Sequence, residues 1–213
     1  MVLFQLKESF LKIDMKVLSR PVILIHGLWN TSSIFKSIIQ ILDENHVEYF
    51  APTIEHKYGM TSIVTLTKLF NQLVQEKYGV DREIDIVGFS MGGIIGRYWL
   101  KNFHGYKRTK KFISIGSPHK GTLTAQFVPK YPLQGISEMK INSSLLRELA
   151  LKNSLLNGLE CISFFTIWDL MVFPGWRAHL PVGNKISLNI LKHRNLVKDK
   201  KAVKKIVKEI LIS

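Results

Sequence analysis

The chain has 213 residues, 46% of them hydrophobic and 22% charged. That suffices for one domain of the usual size, about 100–200 residues, to bury its own core, and it excludes extended disorder, collagen and coiled-coil arrays. Thirty Lys and Arg against sixteen Asp and Glu give a formal charge of +14, and the single cysteine, Cys161, excludes an intramolecular disulfide and any cysteine-built zinc or iron–sulfur site.

Residues 1–20 are mildly apolar but carry Lys7, Glu8, Lys12, Asp14 and Lys16. They lack the basic start, uncharged apolar run and small-residue cleavage site of a secretory signal. No stretch reaches the roughly 18–20 uninterrupted apolar residues of a membrane span. The cytoplasm is the expected location. Val22-Ile23-Leu24-Ile25 then reads as a strand buried on both faces. After Gly27, the hydroxyl residues Thr31, Ser32 and Ser33 are candidate caps. Ile34, Phe35, Ile38, Ile39 and Leu42 recur at helical spacing, which predicts a helix to about Glu44.

Residues 47–51 read as the next strand, stopped by Pro52, and Thr61 or Ser62 caps a helix that ends at Gly79. Residues 84–87 predict a strand, 91–103 a helix, and 111–115, 161–166 and 185–191 three further strands. A last helix runs from about Asp199 to about Leu211. Strands alternating with helical crossovers demand parallel pairing. The expected fold is α/β, a mostly parallel sheet of about six strands with helices on both faces, in a single domain over residues 1–213. The stretch between Ser117 and Glu160 carries no clear strand. It is too long for a bare loop in a folded domain, so a lid-like insertion at about 122–158 is expected, with residues 145–151 its helical part.

Ile84-Asp85-Ile86-Val87-Gly88-Phe89-Ser90-Met91-Gly92-Gly93 places Gly-x-Ser-x-Gly between a predicted strand and a predicted helix. A serine on such a sharp turn is exposed at the carboxyl edge of the sheet, at a helix N-terminus that favours an oxyanion. Gly88 and Gly92 allow the strand and helix to approach closely. Neither the dinucleotide fingerprint nor the P-loop pattern fits these glycines. Ser90 is therefore the candidate nucleophile.

With Pro21-Val22-Ile23-Leu24-Ile25-His26-Gly27-Leu28-Trp29, the run Ser114-Ile115-Gly116-Ser117-Pro118-His119-Lys120-Gly121-Thr122 and the Trp168-Asp169 region, this turn resembles the α/β-hydrolase superfamily, more narrowly its bacterial lipase and esterase branch. The resemblance implies oxyanion donors at the backbone N–H groups of Met91 and Leu28, with His26 shaping the loop. It also implies a triad in the order Ser, Asp or Glu, His. Glu138 and Glu148 fall in the irregular stretch, Glu160 precedes its strand, and Asp199 and Glu209 belong to the last helix. Only Asp169 follows a strand. His193, after the last predicted strand, is favoured as the base over His179, although Lys192 and Arg194 flank it where related enzymes usually have a glycine and an apolar residue. The chemistry so implied, acylation of Ser90 and hydrolysis by water, needs neither cofactor nor metal.

Trp29, Trp168 and Met171, with Met91, Val172, Phe173 and Trp176, surround the expected site, and residues 127–151 are placed to cover it. An apolar acyl group follows. The expected substrate is a carboxylic, small-molecule or lipid ester. Acyl transfer and thioester hydrolysis use the same triad and stay open, as does a weakly catalytic membrane-binding protein on a hydrolase scaffold. The C-terminal run 192–213 has eight Lys and Arg against two Asp and Glu, which points to weak peripheral association with an anionic membrane. Nucleic acid is not expected, since no binding motif accompanies the charge. The sequence carries no signal for an oligomeric state.

Overall fold

Along β1 (Val22–Ile25) successive side chains enter two different cores, Val22 and Leu24 on one face of the sheet and Ile23 and Ile25 on the other. This is why the strand is uniformly apolar rather than alternating. The computed structural model describes residues 19–151 and 153–212. The targeting reading of the N-terminus falls, through residue 18, outside the described residues.

The remaining strands are β2 (Tyr49–Phe50), β3 (Ile84–Phe89), β4 (Thr109–Ile115), β5 (Glu160–Phe165) and β6 (Asn184–Ser187). They form one six-stranded sheet in the order β2-β1-β3-β4-β5-β6, and every pairing is parallel. The described α-helices are α1 (Lys36–Glu44), α2 (Ile63–Tyr78), α3 (Met91–Asn102), α4 (Gln134–Ser137), α5 (Ser144–Leu151) and α6 (Lys200–Leu211). One face is covered by α2, α3 and α5 and the other by α1 and α6. The chain reverses its direction of progress across the sheet between β1 and β3. In open parallel sheets the crevice above such a switch point is where ligands bind.

Several boundaries differ from the sequence reading. The strand expected over residues 47–51 shrinks to Tyr49–Phe50, with Pro52 directly downstream. The one expected over 185–191 ends at Ser187; its partner β5 ends opposite it at Phe165, so although Leu188 is buried and its N–H reaches the Phe165 carbonyl at 2.7 Å, no strand continues beside it. Strand β4 starts earlier, at Thr109. The buried Lys111 there directs its amine to the carbonyls of Glu209 and Ile212 at the end of α6. At the start of α6, Asp199 accepts the N–H groups of Lys201 and Ala202, a helix cap. The stretch 122–158 holds α4, α5 and two short 3-10 turns, and Leu145, Leu146 and Leu149 of α5 are buried in the core beside α3. No described helix is long and apolar enough to cross a membrane.

Candidate active site

Ser90 sits between β3 and α3 with φ 56° and ψ −125°, a conformation a non-glycine residue rarely holds without surrounding constraint. Its N–H donates to the carbonyl of Ile115 at 2.8 Å. A Cβ at Gly88 would lie 2.5 Å from the Cα of Gly93, and one at Gly92 would strike the carbonyl of Ile25. Strand and helix thus meet backbone to backbone, which tightens the turn that lifts Ser90. As the first residue of α3, Met91 has a backbone N–H with no carbonyl one turn earlier to take.

The loop after β1 lies against this turn. A Cβ at Gly27 would stand 2.6 Å from the Cβ of Ser90 and 3.2 Å from its Oγ. His26 is buried behind the loop, and both ring nitrogens are engaged. Its Nε2 accepts the N–H of Ile54 at 2.9 Å, which leaves the proton on Nδ1 for the carbonyl of Gly27 at 3.0 Å. Burial holds its pKa below the ordinary 6.5, with the Gly27 carbonyl pulling the other way and His56 adding to the drop.

Asp169, fully buried in the loop after β5, takes the N–H groups of Met171 at 2.9 Å and Val172 at 3.0 Å on Oδ1. Its Oδ2 lies 2.6 Å from Nδ1 of His193. The hydroxyl of Thr122 accepts the N–H of Phe173 at 2.9 Å, and the hydroxyl of Thr124 reaches the carbonyl of Met171 at 2.7 Å. The Gly-Ser-Pro-His-Lys-Gly-Thr segment thereby braces the aspartate loop. His193 stacks on Phe89, with ring centroids 4.9 Å apart. Its Nε2 is buried with no hydrogen-bond partner among the described residues, an arrangement that costs free energy unless a partner arrives.

The structure brings His193, and not His179, to Asp169. His179 bonds the Leu180 carbonyl at 3.2 Å and packs edge-on against Phe165. His119 is buried, with Nε2 2.6 Å from the Ser114 hydroxyl. Burial first, then Arg97 and His179, pushes its pKa well below 6.5. The excluded carboxylates lie elsewhere: Glu138 accepts the N–H of Ile63 at the start of α2, and Glu160 pairs with Lys111 at the opposite edge of the sheet.

Ser90 and His193 open into a cavity of about 720 Å³, within the range of small-molecule sites. Leu28, Trp29 and Met171 line it too. Trp168 does not: it is 55% exposed and outside the lining, as are Phe173 and Trp176. Another wall comes from the stretch 122–158, through Val128, Leu133, Ile136 and Met139. Those four were not singled out in the sequence; the spacing of Leu133, Ile136 and Met139 was the available signal. Among the described residues no group of three His, Cys, Asp or Glu side chains is placed to hold a metal.

A family model described as palmitoyl protein thioesterase matches residues 21–159. No curated protein matches the chain in sequence. Among solved structures it is similar to the propeptide form of the Bacillus licheniformis lipase BlEst2, at 14% identity and TM-score 0.71, covering 91% of this chain and 50% of that one. The mature form of that lipase aligns at 14% identity and TM-score 0.66, over 91% and 92%. Aspergillus fumigatus lipase B aligns at 16% identity and TM-score 0.72, over 88% and 51%. The chain spans about half the length of the propeptide form and of the Aspergillus lipase. Likeness at this identity concerns the fold, which is the α/β-hydrolase fold.

Proposed function

The chain belongs to the palmitoyl protein thioesterase family, and from that premise we propose that it is a serine hydrolase that removes apolar acyl groups from carboxylic esters and thioesters. Ser90 attacks the acyl carbonyl as its proton passes to Nε2 of His193. Asp169 holds the imidazole by its Nδ1–H and balances the imidazolium. The N–H groups of Leu28 and Met91 receive the oxyanion. The C–O or C–S bond breaks, the leaving group takes the proton from His193, and an acyl-enzyme remains. Water, deprotonated by the same histidine, releases the carboxylic acid and regenerates Ser90.

The observation that carries this reading is the buried, unpartnered Nε2 of His193, a residue that lines the same cavity as Ser90 while its Nδ1 is engaged by Asp169. The apolar wall from the insertion supports an apolar acyl chain. The family match favours inclusion of thioesters. Hydrolysis of octanoyl esters and thioesters by purified protein tests the reading. Ser90→Ala and His193→Ala are each expected to reduce the rate by about 10³-fold or more, while His179→Ala keeps most of it. A residual rate above about a tenth in Ser90→Ala contradicts the assignment.

The exposed lysines of α6 support a peripheral position at anionic membranes. Its apolar stripe, Ala202, Val203, Ile206, Val207 and Ile210, is buried against the sheet, so only the charged faces are available to a bilayer.

A further inference from the structure

Beside the acyl cavity runs a second groove of about 470 Å³, whose lining includes Trp29, His56, Lys57, Tyr58, Arg194 and Lys198. The two spaces share Trp29, Asn30 and Arg194 as a common wall. Arg194 is fixed in that wall by neutral oxygens alone. Its Nε and Nη2 reach Oδ1 of Asn30 at 3.3 and 2.9 Å, and Nη2 reaches the carbonyl of Trp29 at 3.3 Å. Among the described residues no carboxylate pairs with Arg194, Lys57 or Lys198. Glu55 is the one acid in the lining, so the groove keeps two positive charges in excess. His56 stands in the lining as well. Its Nε2 accepts the N–H of Trp29 at 3.0 Å, so the ring proton sits on Nδ1, which is buried without a partner.

The chemistry of acyl transfer gives this groove a place in the reaction. A bound ester has its acyl chain and its leaving group on opposite sides of the scissile bond. The acyl chain takes the apolar cavity. The leaving group departs where His193 hands over its proton, and the next residue along the chain is Arg194. We propose that the groove is the leaving-group subsite, and that it selects acyl donors whose alcohol or thiol carries a phosphate. This rests on the hydrolase reading above. An excess of two positive charges matches a phosphate monoester, which bears about −1.5 to −2 at pH 7. Arginine presents donors in the planar fork that suits phosphate oxygens, and lysine adds point charges. The exposed rings of Trp29 and Tyr58 leave room for a longer body behind the phosphate.

Two matched pairs of substrates test it. The first is 1-octanoylglycerol 3-phosphate against 1-octanoylglycerol. The second is S-octanoyl 4′-phosphopantetheine against S-octanoyl pantetheine. In each pair the acyl chain and the bond broken are the same, and only the phosphate differs. The phosphate-bearing member is expected to have the higher kcat/KM in at least one pair, by about tenfold or more. The pair that responds identifies whether the phosphate belongs to a glycerol or to a longer thiol carrier. Lys57→Gln and Lys198→Gln, both exposed and able to fold, are each expected to lower that ratio about five- to tenfold. Added salt is expected to lower it as well. Equal or faster turnover of the neutral member in both pairs overturns the subsite, as does a preference that survives both substitutions. Failure to turn over any of the four substrates overturns the hydrolase reading itself, and the subsite with it.

Discussion

Nδ1 of His193 and Oδ2 of Asp169 stand 2.6 Å apart in a setting where the aspartate is wholly buried and its other oxygen is filled by the N–H groups of Met171 and Val172. The pairing fixes the imidazole by Nδ1 and leaves Nε2 without a partner. Asp169→Asn keeps the shape but offers an amide in place of an acceptor, which favours the wrong tautomer. The expected loss in kcat is on the order of 10³–10⁴, with the fold retained by circular dichroism. An Asp169→Asn protein within about tenfold of wild type shows that Asp169 does not orient the base.

The closeness of Gly27 to Ser90 yields a second outcome. A methyl group at Gly27 would meet the Ser90 side chain and the Phe89 carbonyl, the latter at 3.0 Å. Displacement of a reacting group by about 1 Å costs about 10²-fold. Gly27→Ala is therefore expected to lower kcat by about that factor. Steady-state kinetics beside a thermal melt separates this from simple unfolding: unchanged kcat shows that the loop has freedom its packing does not suggest.

Val128 is half-buried in the wall of the cavity that Ser90 lines. Val128→Phe fills part of that space, so kcat/KM for long acyl chains is expected to fall relative to short ones, by about tenfold between butanoyl and dodecanoyl esters. A chain-length profile that does not move places the acyl group elsewhere.

The histidines also fix a pH dependence of stability. Burial is the leading cause that holds His26, His119 and His179 below the ordinary 6.5. The unfolded chain takes up protons at these sites near that value while the folded chain resists. Below it the unfolded state therefore binds more protons, and stability falls as pH drops. Asp85 and Glu138, whose carboxyls are raised first by burial, act in the opposite sense from the acid side. The effect is read between about pH 7.5 and about pH 6, where the melting temperature is expected to decrease. A constant or rising melting temperature over that interval contradicts the burial of these rings.

For the lysines of α6, co-sedimentation with vesicles is the measurement. Binding to anionic vesicles is expected to exceed binding to neutral ones, at up to about 1 kcal/mol per lysine near the surface, and to weaken as salt rises. Equal binding to both, or binding indifferent to salt, makes the charge a solvated face only.

The sequence was most legible where one residue type has one physical use. The apolar run of β1 demanded burial on both faces. Gly88 and Gly92 around Ser90 left room only for a tight turn, and the backbone meets there as that spacing requires. The alternation of strands and helices set the parallel sheet. Strand ends were less legible, because the chain after Ser187 keeps β-forming residues and pairing stops only where the partner strand β5 ends, at Phe165. Loops were the least legible. Trp168 and Met171 lie three residues apart in the same segment, yet Met171 lines the cavity and Trp168 does not. Loop side chains follow no period, so composition alone does not say which one turns inward. Arg194 was read as a departure from a family pattern, and its bonds to Asn30 and Trp29 follow from a fold that brings residues distant in sequence side by side.

The central claim, that Ser90 is a nucleophile activated by His193, is tested most directly by a fluorophosphonate probe followed by peptide mass spectrometry. The account predicts a single modified residue, Ser90, in the wild-type protein, with labelling abolished in Ser90→Ala and strongly slowed in His193→Ala. An unmodified Ser90 in folded wild-type protein, or a probe attached to any other residue, contradicts it.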